Sequence, residues 1–517
     1  MKSFFTILIS VALFLVSCSD KEECSEFTLE YDTPSLTIPS GGGQFQLSLH
    51  WTECKLKVSV NESFVVPSIL NVGSETGEGT VLLTFTVAEN PYYSAREARI
   101  SFEPETAGAE SRELVLTQEG LGSEQVSVSV NPGEIFQSWD GFGAMNLGTN
   151  WKLNTFWTED DASALLGDMG LTIMRIRIPS DESRWEAIAA DCSAIYSKYG
   201  TKILATPWSM PTRMKTPAQL EAKKDGVTSS LKSECYEEYA RYLERFAALM
   251  KEKGAPVEAI SIQNEPDYAA GYDGCIWSAE QHLDFIRDYG HLIQSAALVT
   301  AESFSSRQAF YAPALEDETA CGNIDIVGGH LYGATPSVFD LAVQKGKRLW
   351  MTEHLLNDSW TKGTDHWEET LDMLAEINQC IACGWNAYIW WYGCRYYSLV
   401  GDGEEGTTRS KILPRGYAYA HYSKYIRPGD VHIGASSGSE SLLCTAFQGG
   451  EGLSIVLVNT DKTMKELTLD AGVTVASADA IYTSRDANFA KLPTSADGSA
   501  VKLNLPGESV ATLLISI

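Results

Sequence analysis

The chain has 517 residues, of which 44% are hydrophobic and 21% charged, so it is a globular protein too long for a single ordinary domain. Its formal net charge of −29 excludes a nucleic-acid-binding role that depends on broad basic surfaces. The same charge disfavours a densely anionic substrate unless a local cation offsets the general field.

The N-terminal segment predicts export and anchoring. Lys2 precedes an apolar run over residues 4–16, which is typical of a signal peptide over residues 1–17 and is too short to span a bilayer. Leu15-Val16-Ser17-Cys18 resembles a bacterial lipobox, in which Cys18 becomes the lipidated first residue and residues 18–26 form a tether. An ordinary signal peptide with an incidental cysteine is the alternative. We therefore expect an outer-membrane lipoprotein at the cell surface, or alternatively on the periplasmic face, that contacts membrane only through this anchor.

Residues 27–120 form the first predicted domain. Short alternating runs at 44–49, 56–60 and 81–87 are separated by turn residues, a pattern that predicts an antiparallel Ig-like sandwich. The closing stretch 112–120 resembles the last strand of BACON-type Ig-like modules. We expect residues 121–135 to form a linker and the first strand of a side β-domain.

Residues 136–427 change to an alternation of apolar strand-like runs with amphipathic helical stretches. Eight strand–helix units over about 290 residues are typical of a (β/α)8 TIM barrel. Helices are predicted over 235–253, 366–383 and 415–426. The candidate strands are 136–145, 172–178, 202–208, 259–265, 298–304, 324–332, 348–354 and 386–392.

After residue 427 the pattern becomes all-β again, and residues 428–517 predict a C-terminal β-sandwich that residues 126–130 join. The predicted fold class is therefore multidomain: a TIM barrel with a side β-sandwich, preceded by an Ig-like all-β domain.

The eleven cysteines do not form the spacing of a disulfide framework or a metal site. Cys380 and Cys383 lie three apart in a predicted helix, and without a second such pair or clustered histidines we interpret them as core thiols. No metal and no organic cofactor is expected.

Two carboxylates follow predicted barrel strands, where active residues of this fold lie. Glu265 ends strand four in Gln263-Asn264-Glu265-Pro266, and Glu353 ends strand seven in Trp350-Met351-Thr352-Glu353. Cleavage of a glycosidic bond needs such a pair, one to protonate the leaving oxygen and one to attack the anomeric carbon. The alternative is that both are ordinary strand-end acids in surface salt bridges, but their joint placement favours catalysis. We predict Glu265 as acid/base and Glu353 as nucleophile of a retaining glycoside hydrolase.

Several further stretches carry a family resemblance, which covers the barrel and continues into the side β-domain. Residues 136–427 resemble glycoside hydrolase family 30, and most closely its glucuronoxylanase subfamily eight. The matching stretches are 141–146, 173–177, 205–211, 262–268, 330–333, 350–353, 390–392, 415–417 and 421–429.

The resemblance implies roles for three further residues near the pair. Asn264 would hydrogen-bond the hydroxyl next to the anomeric carbon, where contacts strengthen in the transition state. Trp208 would form a wall of the subsite for the attacked sugar, and Tyr332 would orient the nucleophile or touch a side group. The alternative for Trp208 and Tyr332 is a buried core position. His330 is interpreted as structural.

The loop after strand eight resembles the subfamily's pattern for gripping a glucuronic acid branch. Arg395 falls on the second of two arginines in that pattern and Tyr397 on the tyrosine, while Cys394 replaces the first arginine. A guanidinium offers a bidentate fork that matches a carboxylate. The alternative is that Arg395 forms a salt bridge with an acid of its own loop.

The sequence therefore predicts a monomeric endo-β-1,4-xylanase that acts on xylan, with cleavage directed by a glucuronic acid branch. Alternatives are a relative that acts on undecorated xylan or releases short xylo-oligosaccharides, and a non-catalytic surface glycan-binding protein.

Overall fold

The computed structural model describes residues 26–30, 35–105, 107, 110–146, 157–356, 366–450 and 452–517. The predicted signal peptide and Cys18 lie outside these residues. Within the described ranges, no helix has the length and apolar content needed to cross a membrane. The chain divides into two compact units, residues 1–124 with 462–464 and the remainder from Gln125 to Ile517.

The N-terminal unit consists of two sheets that share one core. β1, β3, β7 and β5 form one sheet, and β2, β9, β8, β4 and β6 form the other. Alternation along β3 buries Phe45, Leu47 and Leu49, which pack with β8 side chains such as Ile100. An all-β sandwich is confirmed here. The strands are β1 Glu26–Glu30, β2 Ser35–Ile38, β3 Gly43–Thr52, β4 Lys55–Val60, β5 Val65–Pro67, β6 Asn71–Gly73, β7 Glu78–Val87, β8 Arg96–Pro104 and β9 Arg112–Gln118.

β10 (Ser123–Ser138) begins within residues 121–135, the segment predicted as a linker and first strand of the side β-domain, and runs three residues beyond it. The predicted first barrel strand, 136–145, is divided: its start belongs to β10, and the barrel strand begins at Gly141. Between them, the Trp139 N–H donates to the carbonyl of Asp430, at 2.8 Å. An extended run has the same local pattern in either sheet, so its sequence does not reveal where it changes partners.

Eight parallel strands close into a barrel, which confirms the predicted TIM fold. Apolar residues contributed by seven of these strands form one small cluster, so they fill the barrel interior beneath the strand ends. The barrel strands are β11 Gly141–Met145, β12 Ile173–Ile178, β13 Lys202–Pro207, β18 Ala259–Ser261, β19 Ala297–Val299, β20 Ile326–His330, β21 Arg348–Glu353 and β22 Ala387–Trp390. Two small ladders follow β13, made by β14 Lys215–Thr216 with β17 Ser230–Leu231 and by β15 Lys223–Lys224 with β16 Val227–Thr228.

Helices alternate with the barrel strands, and the long helix α3 buries one stripe of its surface. In α3 the stripe includes Tyr239, Tyr242, Leu243 and Phe246, as the period of the sequence predicts. The helices are α1 Glu159–Ala162, α2 Trp185–Tyr199, α3 Tyr236–Glu252, α4 Ala279–Tyr289, α5 Gln308–Glu316, α6 Glu318–Asn323, α7 Asp340–Gln344, α8 Trp367–Ala382 and α9 Pro414–Ser423.

The C-terminal strands and β10 form a ten-stranded sheet in the order β28-β27-β31-β25-β24-β23-β10-β26-β30-β29. Leu503 of β30 and Leu513 of β31 belong to the same core although their strands are six positions apart, so the sheet folds over on itself like a sandwich. The strands are β23 Val431–Ser437, β24 Leu442–Gly449, β25 Gly452–Asn459, β26 Met464–Asp470, β27 Ser477–Ser484, β28 Ala487–Leu492, β29 Thr494–Asp497, β30 Ala500–Leu505 and β31 Ser509–Ser516.

Candidate active site

The two predicted catalytic carboxylates meet at the mouth of the barrel. Glu353 is the last residue of β21, and Glu265 lies four residues beyond the end of β18, at the same end of the parallel sheet. Each is 5% exposed. A carboxylate oxygen of Glu265, a carboxylate oxygen of Glu353 and a ring nitrogen of His330 all lie within 4.8 Å of one another. The structure therefore brings together two acids that are 88 residues apart in the chain.

The backbone at Glu265 is held in an unfavourable conformation. Its φ is 48°, in the left-handed region that costs a non-glycine residue about 1–2 kcal/mol. The Glu265 N–H donates to the carbonyl of Glu302 at 2.9 Å, which ties the turn to the next strand end. Strain of this kind persists where the surrounding structure determines it, and it is typical of active sites.

Glu353 receives a donor on each oxygen. The Tyr332 hydroxyl donates to Oε1 at 2.8 Å, and Nη1 of Arg175 donates to Oε2. Burial, followed by the charges of Glu353 and Glu265, raises the pKa of Tyr332 well above its usual value, so the phenol remains a neutral donor. Two donors, one of them charged, hold the Glu353 carboxyl group in a single orientation, as a nucleophile requires.

Glu265 has a different environment. The Tyr272 hydroxyl donates to Oε2, and Nδ1 of His330 lies 3.2 Å from Oε1. Burial lowers the pKa of His330, but Glu353, Glu265 and Glu302 outweigh burial and raise this pKa to about 9. His330 is therefore an imidazolium at neutral pH, with carboxylates at both ring nitrogens. The three-residue group of Glu265, His330 and Glu353 has the spacing of a metal site, and both ring nitrogens of His330 already contact the carboxyl groups of Glu265 and Glu302.

Two buried charged residues beneath the pair were missed in the sequence as site residues. The Arg175 side chain of β12 is fully buried and donates through Nη2 to Glu302 Oε2 at 2.6 Å and to Asn264 Oδ1 at 2.7 Å. Glu302 is also fully buried and accepts from the Thr206 hydroxyl at 2.7 Å. Its position after the fifth barrel strand was the available signal, since the same strand-end rule selects Glu265 and Glu353.

Asn264 and Trp208 also lie at this cluster. Because Asn264 Oδ1 accepts from Arg175, its amide NH2 is the side that can donate to a sugar hydroxyl. The guanidinium carbons of Arg175 and Arg177 lie 4.8 and 5.5 Å from the Trp208 ring centroid, and the Trp391 ring lies 6.0 Å away. Trp208 is 5% exposed, so it is a largely buried wall. The sugar contacts of both residues stay predictions.

Arg395 and Tyr397 belong to a second group, in the loop after β22. Nη1 of Arg395 lies 3.1 Å from Asp402 Oδ2 and 3.2 Å from Glu404 Oε2, so the ion pair with loop acids that the sequence left open is present. The Arg395 guanidinium also lies 5.8 Å from the ring centroid of the buried Tyr397. Burial raises the pKa of Tyr392, and the charges of Tyr397 and Glu353 raise it further.

Comparisons with known proteins agree with this geometry. Residues 168–373 match the Glycosyl hydrolase family 30 TIM-barrel domain. The chain is 32% identical over 418 residues to the glucuronoxylanase XynC of Bacillus subtilis strain 168, covering 77% of this chain and 93% of that protein.

Two solved structures are also similar. The glycoside hydrolase family 30 subfamily 8 xylanase Xyn30A of Clostridium acetobutylicum is 29% identical with a TM-score of 0.68, over 76% of this chain and all of that one. A family 30 endoxylanase of Clostridium papyrosolvens C71 is 27% identical with a TM-score of 0.67, again over 76% of this chain and all of that one. The closed barrel, the paired strand-end glutamates and these likenesses lead to one conclusion: the chain belongs to glycosyl hydrolase family 30.

Proposed function

We propose that this enzyme is an endo-β-1,4-xylanase that cleaves xylan by double displacement, with Glu353 as nucleophile and Glu265 as acid/base. The observation that carries the proposal is the different environment of the two carboxylates, within 4.8 Å of each other. Arg175 and Tyr332 each donate to one oxygen of Glu353 and so orient it, whereas Tyr272 and His330 contact Glu265. The likeness to a glucuronoxylanase and to two family 30 xylanases supports xylan as the substrate.

The carboxylate separation supports retention of anomeric configuration. Retaining glycosidases have carboxyl groups roughly 5–5.5 Å apart, whereas inverting enzymes need roughly 6.5–9.5 Å to admit a water. One oxygen of Glu265 and one oxygen of Glu353 lie within 4.8 Å of each other, which is closer to the retaining spacing than to the inverting one.

The catalytic cycle follows from this arrangement. Glu353 attacks the anomeric carbon, the glycosidic C–O bond breaks with its electron pair on the leaving oxygen, and that oxygen takes the proton of Glu265. Glu265, now a carboxylate, removes a proton from water. The resulting hydroxide attacks the anomeric carbon and breaks its bond to Glu353, which releases the sugar. The NH2 group of Asn264 donates to the sugar hydroxyl beside the reacting carbon.

We further propose that a glucuronic acid branch directs cleavage through Arg395 and Tyr397. Glu404 is 42% exposed at its side chain and Asp402 is buried, so the branch carboxylate replaces Glu404 on the guanidinium while Asp402 stays. The ring of Tyr397 lies against the guanidinium and supports its orientation.

The same ion pairs favour a second candidate, a xylanase that prefers undecorated xylan. With Asp402 and Glu404 both on Nη1, the local charge at Arg395 is already balanced or negative, which weakens attraction for an acidic branch. The release of short xylo-oligosaccharides is a further variant of this candidate. A non-catalytic binding role is disfavoured because both carboxylates and their donors are in place.

The location is also a proposal. We infer from Leu15-Val16-Ser17-Cys18 that the mature protein is an outer-membrane lipoprotein, anchored by acyl chains on Cys18 and facing the cell surface.

The test is a product profile on glucuronoxylan, arabinoxylan and linear xylan, with NMR of the first anomer formed. We expect internal cleavage, the β-anomer first, and products from glucuronoxylan that all carry one acid branch at the same position. First formation of the α-anomer would reject double displacement, and equal cleavage of all three polymers would reject branch direction in favour of the second candidate.

A further inference from the structure

Glu302 is a third carboxylate beneath the catalytic pair, and the two cations that contact it each contact one member of that pair. Arg175 lies between Glu302 and Glu353, and His330 lies between Glu302 and Glu265. The Glu302–Arg175 and Glu302–His330 distances are 2.6 and 3.0 Å. All of these side chains except the two catalytic ones are fully buried.

We propose that Glu302 is a positioning residue whose permanent negative charge keeps Arg175 and His330 charged and oriented, so that the site remains electrically neutral through the reaction. The proposal rests on the proposed roles of Glu265 and Glu353. It assigns a function to a residue that contacts the reacting groups only through these two cations.

The charges balance at both stages of the cycle. Before attack, protonated Glu265 is neutral, and the negative Glu353 and Glu302 balance Arg175 and His330. In the glycosyl-enzyme, Glu353 is a neutral ester and Glu265 is ionised, so two negative charges again balance two positive ones. The negative charge thus moves from Glu353 to Glu265 while Glu302 stays constant, and an unbalanced charge never forms in a buried site, where it would be costly.

The ionisation of the cluster agrees with this role. Burial raises the pKa of Glu302, but Arg175 and His330 outweigh burial and lower it to about 2, so the group stays ionised in the working range of pH. The pKa of His330 is raised to about 9, so its imidazole stays protonated at neutral pH. The titratable and charged groups that face this cluster are Arg175, Tyr272, Glu265, Tyr311, Tyr332 and Glu353. The tyrosines have raised pKa values and remain neutral.

The experiment is Glu302→Gln, which keeps the shape of the side chain and removes its charge. The surplus positive charge makes it easier for His330 to lose its proton. In the full-length protein labelled at histidine, we expect the NMR titration of His330 to fall from about pH 9 toward its ordinary value of 6.5. The basic limb of the kcat/KM profile should move to lower pH by about one unit, a tenfold change in proton affinity.

Thr206→Val is the matched control, because it removes the hydroxyl bond to Glu302 and leaves the charge. We expect it to leave both the His330 titration and the basic limb in place. An unmoved titration in Glu302→Gln, or an equal shift in Thr206→Val, overturns the proposal. If Glu302→Gln does not fold, Glu302→Asp provides the test, because it keeps the charge. In this variant His330 should still titrate near pH 9 while kcat falls. A His330 titration near pH 6.5 would overturn the proposal. A wild-type protein that cleaves no xylan rejects the proposed function alone, since the His330 titration needs no substrate.

Discussion

Nη1 of Arg395 lies 3.2 Å from Oε2 of Glu404, so a loop carboxylate already occupies the guanidinium that the family resemblance assigns to a sugar acid. Asp402 contacts the same nitrogen at 3.1 Å, and its side chain is fully buried, whereas the Glu404 side chain is 42% exposed. Glu404 is therefore the partner that a branch carboxylate displaces most easily. Under the proposed branch recognition, selectivity is a competition between an internal acid and the substrate's acid.

Arg395→Ala should remove the branch contact. A charge-assisted hydrogen bond contributes about 1.5–3 kcal/mol, so kcat/KM on glucuronoxylan should fall by roughly 10- to 150-fold. Linear xylan makes no such contact and should be cleaved at the wild-type rate. Arg409→Ala is the control, because Arg409 is in the same loop and pairs instead with Asp161. Equal losses on both polymers would make Arg395 a structural residue.

Glu404→Gln should have the opposite effect. An exposed ion pair contributes about 0.2–1 kcal/mol, so removal of the competitor should raise kcat/KM on glucuronoxylan by up to about fivefold. The rate on linear xylan should stay constant, and steady-state kinetics on both polymers would measure the ratio. A loss of activity on glucuronoxylan in this variant would mean that Glu404 supports Arg395 rather than competing with the branch.

The catalytic pair can be tested by two amide variants. Glu353→Gln should abolish turnover because no glycosyl-enzyme forms. Glu265→Gln should still form it from aryl xylosides whose leaving group needs no proton, which a burst of released phenol would show. Glu316→Gln, at an exposed position in α5, is the control and should behave as wild type. Near wild-type xylan cleavage by either amide variant would contradict the assignment.

Stability should be greatest near pH 6.5, because His330 destabilises the fold at higher pH and two buried histidines destabilise it at lower pH. The pKa of His330 is raised to about 9, so its stabilising contribution is complete below 6.5 and is lost as pH rises from 6.5 through 9. Burial lowers the pKa values of His282 and His421 to about 3, so stability declines as pH falls below 6.5, where the unfolded chain binds these protons.

The measurement is the thermal midpoint of the barrel between pH 5 and 9. Wild-type protein should lose stability on the order of a few kcal/mol over the alkaline range. Glu302→Gln should flatten the alkaline decline and leave the acid side unchanged, because burial alone lowers the pKa values of His282 and His421 and this variant does not alter it. An alkaline decline of equal size in both proteins would contradict the attribution to His330.

Cys18→Ala should move the protein from the membrane fraction to the soluble one, since acyl chains supply the membrane affinity. Fractionation with detection of the intact chain measures this, and Cys24→Ala is the matched control. If the native protein carries no lipid, the lipobox interpretation is wrong and an ordinary signal peptide remains.

The barrel and the pair of glutamates at its mouth could be predicted from the sequence because both depend on local signals. Each strand and each helix has its own period of apolar residues, so each can be recognised without knowledge of the rest of the chain. A glutamate that follows a predicted strand lies at the active end of any such barrel. Glu265 and Glu353 were thus identified together by position, without knowledge of their distance.

Other features depended on the tertiary structure. The strand-end rule marks Glu302 as a candidate, but its contacts with Arg175 and His330 arise only when the barrel closes. The change of sheet between β10 and β11 also required the structure, because an extended run has the same pattern with either partner. For Arg395, the sequence allowed a loop acid or a sugar acid, and the folded loop brought Asp402 and Glu404 to it. Sequence periodicity determines which face of each element is buried, whereas charge pairing depends on distances between segments that only the packed chain sets.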